Sequence, residues 1–389
     1  MNVSFPSRQV VFLSSVDWDA AWQRHHIFAS QWAAKDHEVF FLENTGFRAP
    51  GMADLPRLRR RLARLLYRGP SQAGMARAPQ GLRLVSPAVL PPIPGPGRAL
   101  NRWLLVPALV RRLRALGLRA QPLIFAYLPS PTTLDILDEL KAGFVVYDCV
   151  DNFHGLPFKP QDLGRIESGL LSRSDLVLTT SRTLWEDKAD KHSNVLELHH
   201  GAGPGFFLPP GKTDYRRFCY FGTVWSALDY QPIKALAEAG FSIDLIGPQK
   251  EPPPSLPERV RLLPPLPYHE LPAKLSEYDG LLLPYAFNEY NRGVLPAKFY
   301  DCLATGKPVL ASRLPAIELF SEAVYLARTP DEWVRAARGL EQSETPRRRE
   351  ARVALARENT HERMFSKLSS WIGNLWQAKI KRDSRESRQ

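Results

Sequence analysis

Short apolar runs alternate with stretches of helical period along the chain, and this alternation constrains the fold more than any other feature. QVVFLSS (residues 9–15), HEVFFLEN (37–44), QPLIFAYLP (121–129), GFVVYDCVDNF (143–153) and SDLVLTTS (174–181) read as buried strands. Between the first two, Trp22, Ile27, Phe28 and Trp32 recur at helical spacing. The pattern resumes with RFCYFGTV (217–224), FSIDLIGP (241–248), RVRLLPPLP (259–267) and DGLLLP (279–284). Strand, helix, strand repeats feed parallel sheets, and strands apolar throughout are buried on both faces. The expected fold class is α/β, with two Rossmann-like, doubly wound domains.

A chain of 389 residues, 44% apolar and 24% charged, is large enough for two globular cores. The Gly- and Pro-rich run GAGPGFFLPPGKT (201–213) reads as the linker. It sets a first domain over 1–208 and a second over 214–360, followed by a closing amphipathic helix over 361–380 and a disordered tail over 381–389. Cys149, Cys219 and Cys302 are odd in number and lack metal-ligand spacing, so they are expected as reduced core thiols of a cytoplasmic protein. No apolar run approaches the roughly 20 residues of a membrane span, which leaves a soluble chain or one that lies on a membrane.

The net charge of +12 is concentrated: residues 57–119 hold 14 arginines and no Lys, Asp or Glu, leaving the rest of the chain at −2. LPRLRRRLARLLYR (55–68) sets Leu55, Leu58, Leu62, Leu65 and Leu66 on one helical stripe, and NRWLLVPALVRRLRALGLR (101–119) does the same with Trp103, Leu104, Val110, Leu113 and Leu116. Basic amphipathic helices with Trp and Leu suit an anionic membrane surface, where each arginine contributes about 1 kcal/mol. The alternative is that the stripes are core and the arginines solvated. Nucleic acid is not expected as a partner, because stacking aromatics are scarce and no recognition motif is present.

Ligands of open α/β sheets sit beyond the carboxyl ends of the strands. After the first strand stand Asp17 and Trp18, with His25 and His26 on the next helix; the histidines either contact substrate or face solvent. The strand over 143–153 ends in Asp148 and Asp151. One of them can act as a general base, for a gain of about 10² to 10⁴ in rate, or else they serve as strand-end and loop-capping groups. In the second half Gly222 and Thr223 follow a strand, and a glycine there lets a diphosphate approach the backbone. The segment YAFNEYNRGVLPAKFYDCLATGKP (285–308) offers Tyr285, Glu289, Arg292, Lys298 and Asp301. Lys298 and Asp301 share a helix face, as a cation for phosphate and a carboxylate for a sugar hydroxyl, or as an ordinary surface ion pair.

Several strings, in this order, resemble GT-B glycosyltransferases. SDLVLTTSRTL with NVLELHHGAGPGFF looks like the end of their acceptor domain, RFCYFGTVWSALDYQPIKAL with FSIDLIGP like the opening of their nucleotide-sugar domain, and KFYDCLATGKPVLAS like their donor helix. The WQRHH helix and YDCVDNF strand are similar to teichuronic-acid-type bacterial polysaccharide glycosyltransferases, and LPAKFYD to xanthan-type glucuronosyltransferases. The resemblance implies two domains facing a cleft, an acceptor site at Asp17, Trp18, His25 and His26, and a donor site at Gly222, Thr223, Tyr285, Glu289, Arg292, Lys298 and Asp301.

The chain also departs from that pattern. Where common retaining families place two glutamates, it has Gly293 and Asp301, and Trp225 and Asp229 stand where an Arg/Lys pair is usual. These departures argue against a retaining mechanism of the common type, and an Asp base acting directly on the acceptor hydroxyl implies inversion. The implied activity is transfer of a hexosyl or glucuronosyl group from a nucleotide sugar, uridine diphosphate being the favoured carrier, to a lipid-linked or growing surface polysaccharide. It implies no metal and no cofactor beyond the nucleotide-sugar co-substrate, and a place on the inner face of the plasma membrane through residues 57–119. The rivals are an epimerase or phosphorylase on the same fold, or a non-enzymatic basic module that docks on membrane or nucleic acid.

Overall fold

The computed structural model describes residues 7–47, 78–91, 95–211 and 214–386; the expected basic helix over 55–68 lies outside them. Residue contacts divide the chain into two units. The first is Met1–Thr180, Leu184–Leu198 and Phe365–Gln389, and the second is Ser181–Thr183 with His199–Met364.

Among the described residues the first unit holds a seven-stranded sheet in the order β3-β2-β1-β4-β5-β6-β7. Its strands are β1 (Gln9–Leu13), β2 (Glu38–Leu42), β3 (Leu82–Val85), β4 (Leu123–Ala126), β5 (Phe144–Cys149), β6 (Leu176–Thr179) and β7 (Val195–Glu197). Every pairing is parallel, with Val11 registered against Phe40 on one side and Ile124 on the other. On one face Val11, Phe40, Ile124 and Tyr147 pack under Val106, Leu109, Val110 and Leu113 of the helix Val106–Ala115. On the other face Phe12 stacks on Phe125 at 4.8 Å, beneath Trp32 of the helix Arg24–Ala33. Val110 and Leu113, expected on a stripe that meets a membrane, are therefore core, while Trp103, Leu104 and Leu116 are exposed.

The second unit repeats the plan with six strands in the order β10-β9-β8-β11-β12-β13. These are β8 (Arg217–Phe221), β9 (Ser242–Ile246), β10 (Val260–Leu263), β11 (Gly280–Leu283), β12 (Val309–Ser312) and β13 (Tyr325–Ala327), again parallel throughout. The sequence reading passed over β3, β7 and β13, short edge strands whose few residues carry too little apolar pattern to stand out.

Three boundaries differ from expectation. The first helix begins at Arg24, so that Trp22, expected at helical spacing, precedes it; Gln23 and His26 cap each other across its first turn. Residues 199–208, expected to close the first domain, pack with the second unit, where Ala202 bridges Thr360 and Phe206 is buried. The closing helix runs over His361–Glu386, into the expected disordered tail. Adding residues to a formed helix costs little, and Lys379 ties this end down by bonding Asp175 Oδ1 at 2.8 Å and the Gly143 carbonyl at 2.9 Å.

From Phe365 onward that helix belongs to the first unit. The Phe365 ring lies 5.0 Å from that of Trp32, and Trp376 lies 6.2 Å from Phe144. Phe365→Ala is expected to destabilise the first unit by about 3–5 kcal/mol, whereas Ile380→Ala, at an exposed position, should change stability by less than about 0.5 kcal/mol. Urea unfolding curves of the two variants measure the contrast.

Candidate functional site

In each sheet the strand order reverses beside the first strand, the point at which open α/β sheets generally leave a crevice beyond the carboxyl ends. In the second unit the reversal falls at β8, flanked by β9 and β11. The loop after β8 opens with Gly222, and the loop after β11 with Pro284 and Tyr285. Ala286 N–H donates to the Ala227 carbonyl at 2.9 Å, and Asn291 Nδ2 donates to the carbonyls of Ala227 and Ala286, stitching the two loops together.

Lys298 reaches into this crevice. Its Nζ donates to Tyr220 Oη at 3.1 Å and Tyr285 Oη at 2.9 Å, and lies 4.4 Å from the Tyr220 ring centroid. Gly222 has φ +133°, and a Cβ there would collide with Lys298 Nζ. Gly247, at φ +150°, has no room for a Cβ against the Gly222 carbonyl. Both glycines hold a positive φ that other residues rarely adopt, and at Gly247 the clash would be with backbone, so the two strand-end loops meet closely beside the ammonium. Burial works against the charge of Lys298, yet the two phenol oxygens outweigh it and hold the ammonium protonated. No carboxylate among the described residues lies in salt-bridge reach of it. A partly buried cation hydrogen-bonded to phenols rather than to a carboxylate suits an incoming anion.

The other expected donor residues are placed differently. The helix Phe299–Ala304 starts one residue past Lys298, which stands at its N-cap. Asp301, expected to meet a sugar hydroxyl, is 4% exposed and turned inward. It accepts from Gly203 N–H at 2.8 Å and from Tyr268 Oη at 2.9 Å, so its carboxyl clamps the linker residue to the helix start. Arg292 and Glu289 are exposed partners of one another at 3.7 Å, one helical turn apart. Thr223 gives its carbonyl to Tyr220 Oη at 2.9 Å. Neither Tyr220 nor Tyr268 was singled out in the sequence; for Tyr220 the place two residues before Gly222 was the available signal, and for Tyr268 there was none.

The first unit's reversal at β1 is filled rather than open. Trp18 is 4% exposed, with its ring 5.1 Å from His26 and 5.0 Å from Phe41. His25 lies 3.7 Å from the Tyr127 ring and 2.9 Å from Ser15 Oγ. His26 accepts from Gln23 N–H at Nδ1, and burial pushes its pKa down to about 4. Both histidines and Trp18 are therefore core, neither acceptor contacts nor a solvent face, while Asp17 stays half-buried on the loop and its carbonyl faces His26 Nε2.

Asp148 is fully buried and paired with Arg24 Nε at 2.7 Å; Arg24 Nη1 also donates to the Leu198 carbonyl at 2.7 Å. Burial raises the carboxyl's pKa despite the guanidinium beside it. A group so enclosed holds the fold and does not meet an acceptor, which corrects its expected role as a base. Asp151 lies half-buried beyond the strand end. The turn that follows it is anchored by Glu167, which bonds His154 at 2.8 Å, Tyr147 Oη at 2.7 Å and Lys188 Nζ at 2.9 Å. Among the described residues no group of three or more His, Cys, Asp or Glu is placed to hold a metal ion, and all three cysteines are free and buried.

Two predictions follow from these partners. Arg24→Met strands the Asp148 carboxylate and is expected to cost about 3–5 kcal/mol, with most of it recovered in Arg24→Met/Asp148→Leu; chemical denaturation of both variants tests this. Burial lifts the Asp301 carboxyl to about 7, against the pull of Gly203, Tyr268 and Lys298. The folded state thus holds this proton more tightly than the unfolded chain, whose Asp titrates near 3.9. The associated stability is full below about pH 4 and is lost as pH rises through about 7. Relative to Asp301→Asn, the unaltered protein should lose stability across that window by up to about 1.4 kcal/mol per pH unit, a difference read from melting curves at stepped pH.

Comparison with known proteins places the chain. Residues 230–367 match the family described as glycosyl transferase-like. No curated protein matches the sequence. Sucrose-phosphate synthase from Thermosynechococcus elongatus superposes with a TM-score of 0.67 at 14% identity, over 95% of this chain and 99% of that one. HepE from Anabaena, solved with UDP-glucose, gives 0.65 at 12% identity over 94% and 99%. WaaG, a glycosyltransferase involved in lipopolysaccharide biosynthesis, gives 0.58 at 12% over 93% and 99%. The chain has the fold of the GT-B glycosyltransferases and carries a glycosyl transferase-like domain over most of its second unit, findings that support glycosyl transfer as its activity.

Proposed function

We propose that this chain transfers a sugar from a nucleoside diphosphate sugar, with uridine diphosphate as the carrier, to a lipid-linked or growing surface polysaccharide at the inner face of the plasma membrane. The observation that carries the donor half is Lys298, a cation without a carboxylate partner, set against Gly222 at the strand-order reversal. HepE, of the same fold, is solved with UDP and with UDP-glucose, which supports the choice of carrier. The resemblance of WQRHH, YDCVDNF and LPAKFYD to teichuronic- and xanthan-type enzymes favours a polysaccharide acceptor.

In this reading the acceptor hydroxyl oxygen attacks the anomeric carbon from the face opposite the diphosphate. Its proton passes to the Asp151 carboxylate, the bond from the anomeric carbon to the phosphate oxygen breaks, and the configuration inverts. Lys298 and backbone N–H groups near Gly222 meet the charge that builds on the departing diphosphate, which removes the need for a metal ion. Tyr285, at the mouth of the same crevice and bonded to Lys298, orients that ammonium and borders the sugar. Asp151 takes the base role because Asp148 is committed to Arg24.

Lys298→Ala is expected to weaken uridine diphosphate binding by about 10-fold to 100-fold, the scale of one charge-assisted contact. Asp151→Asn should lower kcat by about 10² to 10⁴ with donor affinity kept. Calorimetry with uridine diphosphate and turnover with a donor panel separate the two. Unchanged nucleotide affinity in the Lys298 variant would remove it from the site, and unchanged turnover in the Asp151 variant would remove the base.

A further inference from the structure

Among the described residues, the three most exposed large apolar side chains of the first unit gather at one place. Trp103 is 74% exposed, Leu104 53% and Leu100 42%. They flank a π-helical turn, Asn101–Leu105, between the helices Pro96–Leu100 and Val106–Ala115. Wider turns of this kind interrupt the α-helical register and recur at functional positions. Here the buried stripe Val106, Leu109, Val110 and Leu113 does not continue into 102–104, whose side chains all stand in solvent.

The turn is built rather than loose. Asn101, 1% exposed, exchanges two 2.8 Å bonds with the backbone N–H and carbonyl of Leu90, fixing the base of the projection. Arg98 is ion-paired with Asp135 beside it. The guanidinium of Arg102 lies 5.1 Å from the Trp103 ring, and Arg111, Arg112 and Arg114 are exposed along the same helical segment. None of these four has a carboxylate in salt-bridge reach among the described residues. Residues 57–119 supply no acidic side chain at all.

We infer that residues 100–104 form a wedge that enters an anionic lipid leaflet, with Leu100, Trp103 and Leu104 below the headgroups and Arg102, Arg111, Arg112 and Arg114 at phosphate level. Trp prefers the membrane interface, where its ring is buried and its N–H stays wet. Arginine stems lie along apolar surface while the guanidinium remains among the headgroups. An exposed apolar tip with Arg102 beside it and further exposed arginines along the following helix fits a bilayer better than a nucleic acid, whose phosphates offer Leu100 and Leu104 nothing apolar to cover. The inference sharpens the membrane part of the proposed function and is independent of the sugar chemistry.

Sedimentation of the full-length chain with phosphatidylglycerol vesicles or with phosphatidylcholine vesicles tests it, alongside Trp103→Ser/Leu104→Ser. The unaltered protein should sediment with phosphatidylglycerol and not with phosphatidylcholine, and the double variant should bind at least about tenfold more weakly, as expected for withdrawing two large apolar side chains from lipid. The variant's affinity for uridine diphosphate should stay unchanged, which separates loss of the wedge from loss of the fold. Equal vesicle binding by both proteins overturns the wedge. Failure of the unaltered protein to bind phosphatidylglycerol, or preferential capture by duplex DNA at the same salt, overturns membrane attachment itself and leaves the donor reading standing.

Discussion

A parallel strand laid down first can be extended on either side, and both sheets of this protein are extended on both. That choice leaves one point of reversal in each sheet, and the chemistry proposed for the second unit depends on what stands there. The filling is a single lysine. Lys298 stands at the cap of a short helix, leans on two phenols, and packs against Gly222, whose positive φ suits glycine. Hydrogen bonds to neutral oxygens offset its desolvation without cancelling its charge, so the site keeps an electrostatic demand for a ligand. A carboxylate in the same position would have made a stable and inert ion pair.

The first unit shows that alternative outcome. Its reversal point holds Trp18, His25, His26 and Tyr127 in contact, and the carboxylate nearest to it, Asp148, is paired with Arg24. Two sheets of the same topology thus treat the same crevice in opposite ways, one closed by aromatic packing and one left with an unmatched charge. The difference comes from the residues after the first strand: SSVDW in one, GTVW in the other. Bulk and ring stacking close the first, while a glycine keeps the second open.

Much of this was legible in the sequence. Strands apolar on both sides announced parallel sheets, and the spacing of Gly222, Tyr285 and Lys298 around strand ends marked the crevice. The failures share a cause. His25, His26 and Trp18 were read as surface or ligand groups because polar and aromatic residues after a strand usually are, yet a ring stack that buries them leaves no trace in spacing. Asp301 and Asp148 were assigned to substrate because a carboxylate near a strand end suits that role; the partners that claim them, Tyr268 with Gly203 and Arg24, lie 33, 98 and 124 residues away. Long-range pairing of a buried charge is decided by tertiary packing, which no local window contains.

The return of the last helix to the first sheet has a consequence for how the protein is made. Phe365 and Trp376 complete a core whose other members, Trp32 and Phe144, emerge from the ribosome long before them. At synthesis rates of about 5–20 residues per second, the first unit waits roughly 10–30 seconds after Leu198 for its final layer. During that interval its sheet face over Phe12 and Phe125 has the first helix but not Phe365 of the last one, and vectorial folding cannot finish it. The unit that begins the chain is the last to be completed.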